Sequence, residues 1–201
     1  MGSKSKIDWL TGRDGKPGAS WNTWSGCEPV SEGCAHCYAR NMMRRFRGKK
    51  GWPDDPNVPQ FFPERMDQPL RWTRPRRIFV CSMSDVMHEG IPDESIAEIW
   101  EVMRRAKQHT FIVLTKRSRR LRAIMPALPV LPNVCLGVTA ENQRRADERI
   151  PDLLACDAAM YGVSIEPALG PVVLRPEWLE RLSWTIFGAE SGRGARPASL
   201  D

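Results

Sequence analysis

Residues 78–85 read Ile78-Phe79-Val80-Cys81-Ser82-Met83-Ser84-Asp85, a short apolar run that ends in polar side chains. Such a run has the length of a buried strand and is too short for a buried helix. Similar runs follow at residues 111–114, 134–138, 160–165 and 184–187. Continuously apolar strands, unlike alternating ones, are typical of a parallel sheet covered by helices. The pattern therefore predicts an α/β fold.

Amphipathic stretches separate these strands. Within residues 92–107, Ile96, Ile99 and Met103 recur at a helical spacing and predict one apolar face. Other elements are predicted as helices at 118–125, 141–154 and 38–47, and as a first strand at 21–25. Residues 51–69 contain five prolines and predict an irregular insertion. No internal repeat divides the chain, so residues 1–201 are predicted to form a single domain.

Composition limits the classes of protein to consider. Apolar residues make up 41 % of the 201 residues, and no apolar run approaches the roughly 20 residues of a membrane span. The N-terminus lacks the apolar region of a signal peptide, so we expect a cytoplasmic protein with reduced thiols. Lys and Arg outnumber Asp and Glu by 30 to 24, which permits an anionic partner.

Polar residues follow each predicted strand directly. Because the carboxyl ends of parallel strands converge on one face of the sheet, we expect these residues to share one site. The residues concerned are Ser82, Ser84, Asp85, Thr115, Lys116, Thr139, Glu141, Asn142, Glu166 and Glu190.

A loop at residues 24–38, the cysteine loop, would open on the same face. It places Cys27, Cys34 and Cys37 within eleven residues, with gaps of six and two residues. A closed structural zinc site needs four ligands, whereas three thiolates can hold an iron–sulfur cubane with one iron left open. The alternative interpretation is a zinc site with His36 or a distant group as the fourth ligand. The other cysteines, Cys81, Cys135 and Cys156, have apolar neighbours and are predicted to be core residues.

The chain resembles the radical S-adenosylmethionine (SAM) superfamily, and within it a phage-associated branch of unassigned function with a widened three-cysteine motif. The first cysteine gap is six residues, whereas the superfamily usually has three. The resemblance spans nearly the whole chain, and it is carried by Trp21-Asn22-Thr23-Trp24-Ser25-Gly26-Cys27, Ser31-Glu32-Gly33-Cys34-Ala35-His36-Cys37-Tyr38-Ala39, residues 78–85, Leu136-Gly137-Val138-Thr139-Ala140-Glu141-Asn142 and Gly188-Ala189-Glu190-Ser191-Gly192.

The resemblance implies a partial (β/α)6, TIM-like barrel and an enzyme. Cys27, Cys34 and Cys37 would hold a [4Fe–4S] cluster whose fourth iron binds SAM. An electron from a reductase or flavodoxin-type donor would then cleave SAM, and the resulting radical would abstract hydrogen from the substrate. A phage-encoded protein of this kind would act in the host cytoplasm.

The resemblance also implies which residues contact the cofactor. His36 would pack near adenine, and Ser84 and Asp85 would accept from the SAM amino group. Asp85 could equally cap a turn, and Glu141 or Asn142 could cap the helix that follows them. The full predicted set is His36, Tyr38, Ser82, Ser84, Asp85, Thr139, Glu141, Asn142, Glu166 and Glu190.

The substrate is expected to be a nucleobase or nucleotide first, and a protein side chain second. Lys116, Arg117 and Arg119 begin at a strand end and are the predicted contacts for an anionic substrate. A second basic run, residues 40–50, would be either a phosphate-binding surface or a solvated helix face. The rival function is a zinc-stabilised, basic nucleic-acid-binding protein without catalysis.

The segment after residue 187 has no amphipathic period, so we expect the last strand to lack its covering helix. This predicts a chain that is naturally short or truncated, with an exposed flank. A homodimer or a partner protein would cover that flank, or residues 1–20 would fold over it with Ile7, Trp9 and Leu10 as anchors.

Overall fold

A six-stranded parallel sheet forms the centre of the protein, as seen in a computed structural model that describes residues 5, 7–12, 14–191 and 194–198. The described strands are β1 (Ala19–Trp21), β2 (Trp24–Ser25), β3 (Gln60–Phe61), β4 (Arg77–Val80), β5 (Thr110–Thr115), β6 (Val134–Thr139), β7 (Met160–Ile165) and β8 (Trp184–Phe187). Six of these strands form this sheet, and β2 and β3 form a separate two-stranded sheet. The sheet has the order β1-β4-β5-β6-β7-β8, so its strands follow the order of the chain. The predicted α/β class with a parallel sheet is confirmed, and the barrel curvature stays a prediction.

Helices connect successive strands of the sheet. They are α1 (Tyr38–Arg45), α2 (Asp93–Arg105), α3 (Ser118–Ile124), α4 (Gln143–Leu154) and α5 (Pro176–Leu179). Helix α2 has Asp93 in its first turn and Arg105 in its last, which complements the helix dipole. The first four helices lie where the sequence predicts them, and α5 was not predicted because it is only four residues long. None of the described helices is both long and apolar enough to cross a membrane.

The two faces of the sheet are covered differently. On one face, Ile78, Phe111 and Val113 pack against helix residues such as Ile99 and form the main core. On the other face, Ile112 and Cys135 belong to a separate, smaller cluster. The alternation follows the two-residue period of a strand. The helices therefore lie on one face, here called the outer face, and leave the inner face for other contacts.

The N-terminal segment covers part of the inner face. Leu10 is fully buried there, and the Trp9 ring lies 5.2 Å from Phe79 and 6.3 Å from Trp184, measured between ring centroids. The predicted anchors therefore do reach the last strand, but on the inner face and not on the outer face, where the other helices lie. The outer face of β8 stays open, since Phe187 is 55 % exposed and residues 188–191 and 194–198 contain no helix.

The predicted first strand, 21–25, is wrong in one respect, because the chain divides it between two sheets. β1 ends at Trp21, and β2 pairs instead with β3 of the proline-rich insertion in a separate two-stranded antiparallel sheet. Between them, the Asn22 side chain accepts hydrogen bonds from the Met83 N–H (2.9 Å) and the Ser82 hydroxyl (3.2 Å). These bonds tie Asn22 to the turn after β4, so the chain leaves the main sheet there.

Candidate functional site

A cavity of about 680 Å³ opens on the inner face at the carboxyl ends of the strands. Its volume lies within the range of roughly 300–1,000 Å³ that is usual for small-molecule sites. The wall combines residues from the N-terminal segment and the cysteine loop with residues at or just after the ends of β4, β5, β6, β7 and β8. Those with functional side chains include Trp9, Cys27, Glu28, Cys34, His36, Cys37, Tyr38, Arg40, Ser82, Ser84, Asp85, Thr115, Lys116, Arg117, Thr139, Ser164, Glu166 and Glu190.

The first end of the cysteine loop is fixed by the turn after β4. The Gly26 N–H donates to the Met83 carbonyl (2.9 Å), and the Ser84 hydroxyl donates to the Gly26 carbonyl (2.6 Å). Gly26 has a φ of +103°, and a Cβ there would overlap the Val58 carbonyl. The next residue, Cys27, donates its N–H to the Pro56 carbonyl (3.0 Å). The position of the Cys27 thiol is therefore set by backbone contacts on both sides.

The middle of the loop rests on a buried ion pair. Glu141 is fully buried and accepts from Arg149 (2.8 Å) and from the Ser31 hydroxyl (2.5 Å). Gly33 lies against the same carboxylate so closely that a Cβ would overlap Glu141. The loop can therefore approach α4 only because residue 33 has no side chain.

Asn142 joins the loop to the start of α4. Its side chain accepts from the Arg145 N–H (3.1 Å) as the helix N-cap and donates to Glu32 (2.5 Å). Arg145 also pairs with Glu32 (2.8 Å), and this hydrogen bond lowers the pKa of Glu32 to about 2. The structure thus assigns Asn142 the capping role. Glu141 and Asn142 hold the loop from outside the cavity lining.

Asp85 has its carboxylate engaged within the protein. One oxygen accepts from the Thr115 hydroxyl (2.7 Å) and the Met87 N–H (3.0 Å), and the other accepts from the Lys116 N–H (3.0 Å). Arg117 lies 3.4 Å from the same group. Asp85 therefore fixes the ends of β4 and β5 relative to each other. This arrangement favours the turn-capping alternative over a primary contact with an amino group.

Arg117 lies directly beside a cysteine of the loop. Its Nη1 is 3.5 Å from the Cys27 sulfur, and its Nε donates to Glu89 (2.7 Å). Burial, with a smaller effect of the Asp85 charge, raises the pKa of the Cys27 thiol to about 12, and Arg117 acts in the opposite direction. Of the three predicted anion-binding residues, Lys116 and Arg117 line the cavity, whereas Arg119 is exposed outside the lining.

The floor of the cavity carries a carboxylate with a shifted pKa. Burial raises the pKa of Glu166, although a hydrogen bond from Trp9 and the charge of Lys116 oppose the shift. Thr139 and Ser164 lie beside it at the ends of β6 and β7 and are nearly buried. These side chains offer donors and acceptors to a ligand on the inner face. Ser164 is not among the residues predicted from the sequence, although the two-residue period places it on the same face as Glu166.

The segment after β8 crosses the cysteine loop. Glu190 pairs with Arg196 (2.5 Å), which lowers the pKa of Glu190 to about 2. Arg196 also donates to the Glu32 carbonyl (3.0 Å), and the His36 Nδ1–H donates to the Gly194 carbonyl (2.7 Å). Arg196 and this crossing were not predicted from the sequence, because no periodic pattern marks a segment held by individual side chains.

A second group of potential metal ligands lies near the cavity. Ligand atoms of Glu28, His88 and Glu89 are within 4.8 Å of one another. The His88 Nδ1, however, accepts from the Gly90 N–H (2.9 Å), so in the neutral ring the proton sits on Nε2. Burial lowers the pKa of His88, which favours the neutral ring. With Nδ1 occupied and Nε2 protonated, His88 has no lone pair to offer a metal.

Comparison with known proteins gives a family and nothing further. The family model of DUF5131, described as a protein of unknown function, matches residues 4–201. No curated protein and no solved structure matches the chain. The match spans nearly the whole chain and includes the cysteine loop, all six strands of the sheet and the crossing segment. The chain therefore belongs to the DUF5131 family.

Proposed function

We propose that the protein is a radical SAM enzyme in which Cys27, Cys34 and Cys37 hold a [4Fe–4S] cluster. The observation that carries the proposal is their common position on the wall of the 680 Å³ cavity, at the carboxyl ends of the strands. A parallel sheet whose strands follow chain order, with helices on one face, also has the connectivity of a βα barrel. We therefore propose that the sheet curves into a partial (β/α)6 barrel.

The donor set fits a cluster better than a single ion. Tetrahedral zinc with Zn–S bonds of about 2.3 Å requires sulfurs about 3.8 Å apart. Among the described residues, the three cysteine sulfurs do not form a group within 4.8 Å of one another. At least one of their separations therefore exceeds what a single tetrahedral ion requires, which suits a larger group, and thiolates are the usual ligands of iron–sulfur clusters. The remaining cysteines, Cys81, Cys135 and Cys156, are buried as predicted and serve as core residues.

The side chains of this site have separate tasks. When bound, the cluster and SAM would supply a radical that abstracts hydrogen from an organic substrate. Lys116 provides a cation, and Glu166 a carboxylate acceptor, for the charged groups of SAM. Arg117 places a positive charge beside Cys27 and favours its thiolate form. Trp9 and Tyr38 line the cavity and limit the access of water.

The test begins with protein purified and reconstituted without oxygen. We expect a brown protein with about four irons and four sulfides per chain. Cys27→Ala, Cys34→Ala and Cys37→Ala should each lose the cluster. Cys156→Ala is the matched control, because this thiol is buried elsewhere and donates to the Asp152 carbonyl (3.3 Å). A colourless protein that holds one zinc and takes up no iron would overturn the proposal.

The second measurement concerns SAM. With dithionite, the reconstituted protein should convert SAM to 5′-deoxyadenosine and methionine. Lys116→Met and Glu166→Gln should weaken SAM binding while the iron content stays at the wild-type value. Unchanged SAM affinity in both variants would show that the cofactor does not occupy this part of the cavity.

A further inference from the structure

We propose that the substrate is part of a single-stranded nucleic acid whose phosphates bind a surface formed by α1 and the turn after it. This α1 basic surface consists of Arg40, Arg44, Arg45, Arg47, Lys49 and Lys50. The identity of the reacting group rests on the proposed function. Binding of the strand does not, because it depends only on charges and rings of the described protein.

The α1 basic surface is a dense run of positive charge in the sequence. Between Glu32 and Asp54 there are six Lys and Arg residues and no Asp or Glu. Removing these six from the 30 basic residues leaves 24, which equals the number of Asp and Glu residues. This segment, residues 33–53, therefore holds a local charge equal to the formal net charge of +6. Such concentration is typical of a surface that binds an extended polyanion.

The cations of this surface lack acidic partners, unlike those on the other helices. On α2, Arg104 pairs with Glu101 (2.7 Å), and on α4, Arg144 pairs with Glu148 (3.0 Å). Within the part of the chain that the structure describes, no Asp or Glu forms an ion pair with the six cations of the α1 basic surface. Arg40 donates to the Asn57 side chain (2.8 Å) and Arg47 to the Asp54 carbonyl (2.7 Å), but these neutral acceptors leave the positive charges available to phosphates.

The surface is continuous with the cavity. α1 begins one residue after Cys37, and its residues Tyr38, Arg40 and Met43 line the cavity. Arg44 lies one turn beyond Arg40 on the same side of the helix, so the two form a track that leads away from the cavity mouth. A nucleic-acid strand bound along this track would pass the cysteine thiols where the track meets the cavity.

Aromatic rings accompany the cations. Phe46 and Trp52 stack with centroids 4.7 Å apart, and Arg45 and Lys49 lie 5.5 and 5.4 Å from the Phe46 ring centroid. Tyr38 is 40 % exposed at the cavity end. Charged tracks with aromatic rings are the usual binding mode for single strands, since bases stack on rings and phosphates meet cations. A single strand is favoured over a duplex because an unpaired base can enter a cavity without being extruded from a stack.

Fluorescence anisotropy with labelled oligonucleotides of about 12 nucleotides tests the inference. Separate arms use single-stranded DNA, single-stranded RNA and duplex DNA, each titrated at several salt concentrations. The test variant is Arg44→Gln/Arg45→Gln/Lys49→Gln. The control is Arg104→Gln/Arg105→Gln/Lys107→Gln, which removes the same formal charge from the end of α2. Circular dichroism and thermal melting show that both variants are folded.

We expect wild-type protein to bind a single strand more tightly than the duplex. In the test variant, the slope of log K against log salt should fall by about 2, which is three lost contacts at about 0.7 each. The control should keep the wild-type slope. Absence of binding at low salt, preference for duplex, or equal losses in both variants would overturn the inference.

The two proposals fail in different ways. Cys27→Ala without any cluster should still bind the oligonucleotide, because the α1 basic surface is intact. If the cluster forms and SAM is cleaved but no strand binds, only the inference about the substrate is wrong. If nucleic-acid strands bind and no cluster forms, the proposed function is wrong, but the inference that the α1 basic surface binds nucleic acid still holds.

Discussion

Replacing Arg149 with methionine should destabilise the protein more than any other single charge removal on α4. The guanidinium pairs with Glu141 at 2.8 Å, with side-chain exposures of 4 % and 0 %. The variant leaves a fully buried carboxylate whose remaining partner is the Ser31 hydroxyl at 2.5 Å. Breaking a buried ion pair on one side typically costs about 3–5 kcal/mol, because the remaining charge stays desolvated. For a chain of this size, that cost corresponds to a fall in Tm of roughly 6–20 °C.

Arg144→Met is the matched control on the same helix. Arg144 pairs with Glu148 at 3.0 Å, but the two side chains are 75 % and 41 % exposed. An exposed helix pair of this kind contributes only about 0.3–0.5 kcal/mol. Both variants are compared with wild type by urea unfolding followed by tryptophan fluorescence. A third protein, Glu141→Met/Arg149→Met, should recover most of the loss, because it leaves no unpaired charge in the interior.

Equal free energies of unfolding for Arg149→Met and Arg144→Met would refute the stabilising role of the buried ion pair. That role would also be refuted if the double variant were less stable than Arg149→Met. A further consequence concerns the cysteine loop, since Glu141 holds Ser31. In Arg149→Met, protease cleavage within residues 28–36 should be faster than in wild type under conditions where both are folded.

Three further outcomes are expected. Gly26→Ala should cost about 1–3 kcal/mol more than Gly48→Ala, because both glycines have positive φ but only at Gly26 would the Cβ overlap a neighbour; equal melting temperatures would contradict this. In metal-free protein, alkylation of Cys27 should keep accelerating above pH 9.0, the ordinary thiol value, because its pKa is raised to about 12; a plateau near pH 9 would contradict the assigned burial. The carboxylates of Glu32 and Glu190 have pKa values lowered to about 2, so their stabilisation is complete above the ordinary value of 4.5 and is lost as the pH falls toward 2. Between pH 2 and pH 4.5, the melting temperature should therefore depend less on pH in Glu32→Gln/Glu190→Gln than in wild type. An identical pH dependence in the two proteins would contradict the lowered pKa values.

The sequence by itself determined the sheet, most of its helices and the loop that carries the thiols. Runs such as 111–114 and 134–138 are apolar throughout, and this local property decides burial on both faces. Convergence of the strand ends follows from parallel topology, so Asp85, Thr139 and Glu166 meet at the cavity as the sequence analysis expected. The family match likewise depends on sequence alone.

Only the tertiary structure decided the partner of each polar side chain. Ser31 bonds to Glu141 across 110 residues of sequence, and Arg196 reaches Glu32 across 164. Propensity and periodicity describe neighbours within a turn or a strand, so they carry no information on such pairs. The same holds for Arg117, whose type predicts an anion contact but whose buried position places it beside Cys27. The residue type determines charge and hydrogen-bonding capacity, whereas the packing of the whole chain determines which groups share a low-dielectric environment.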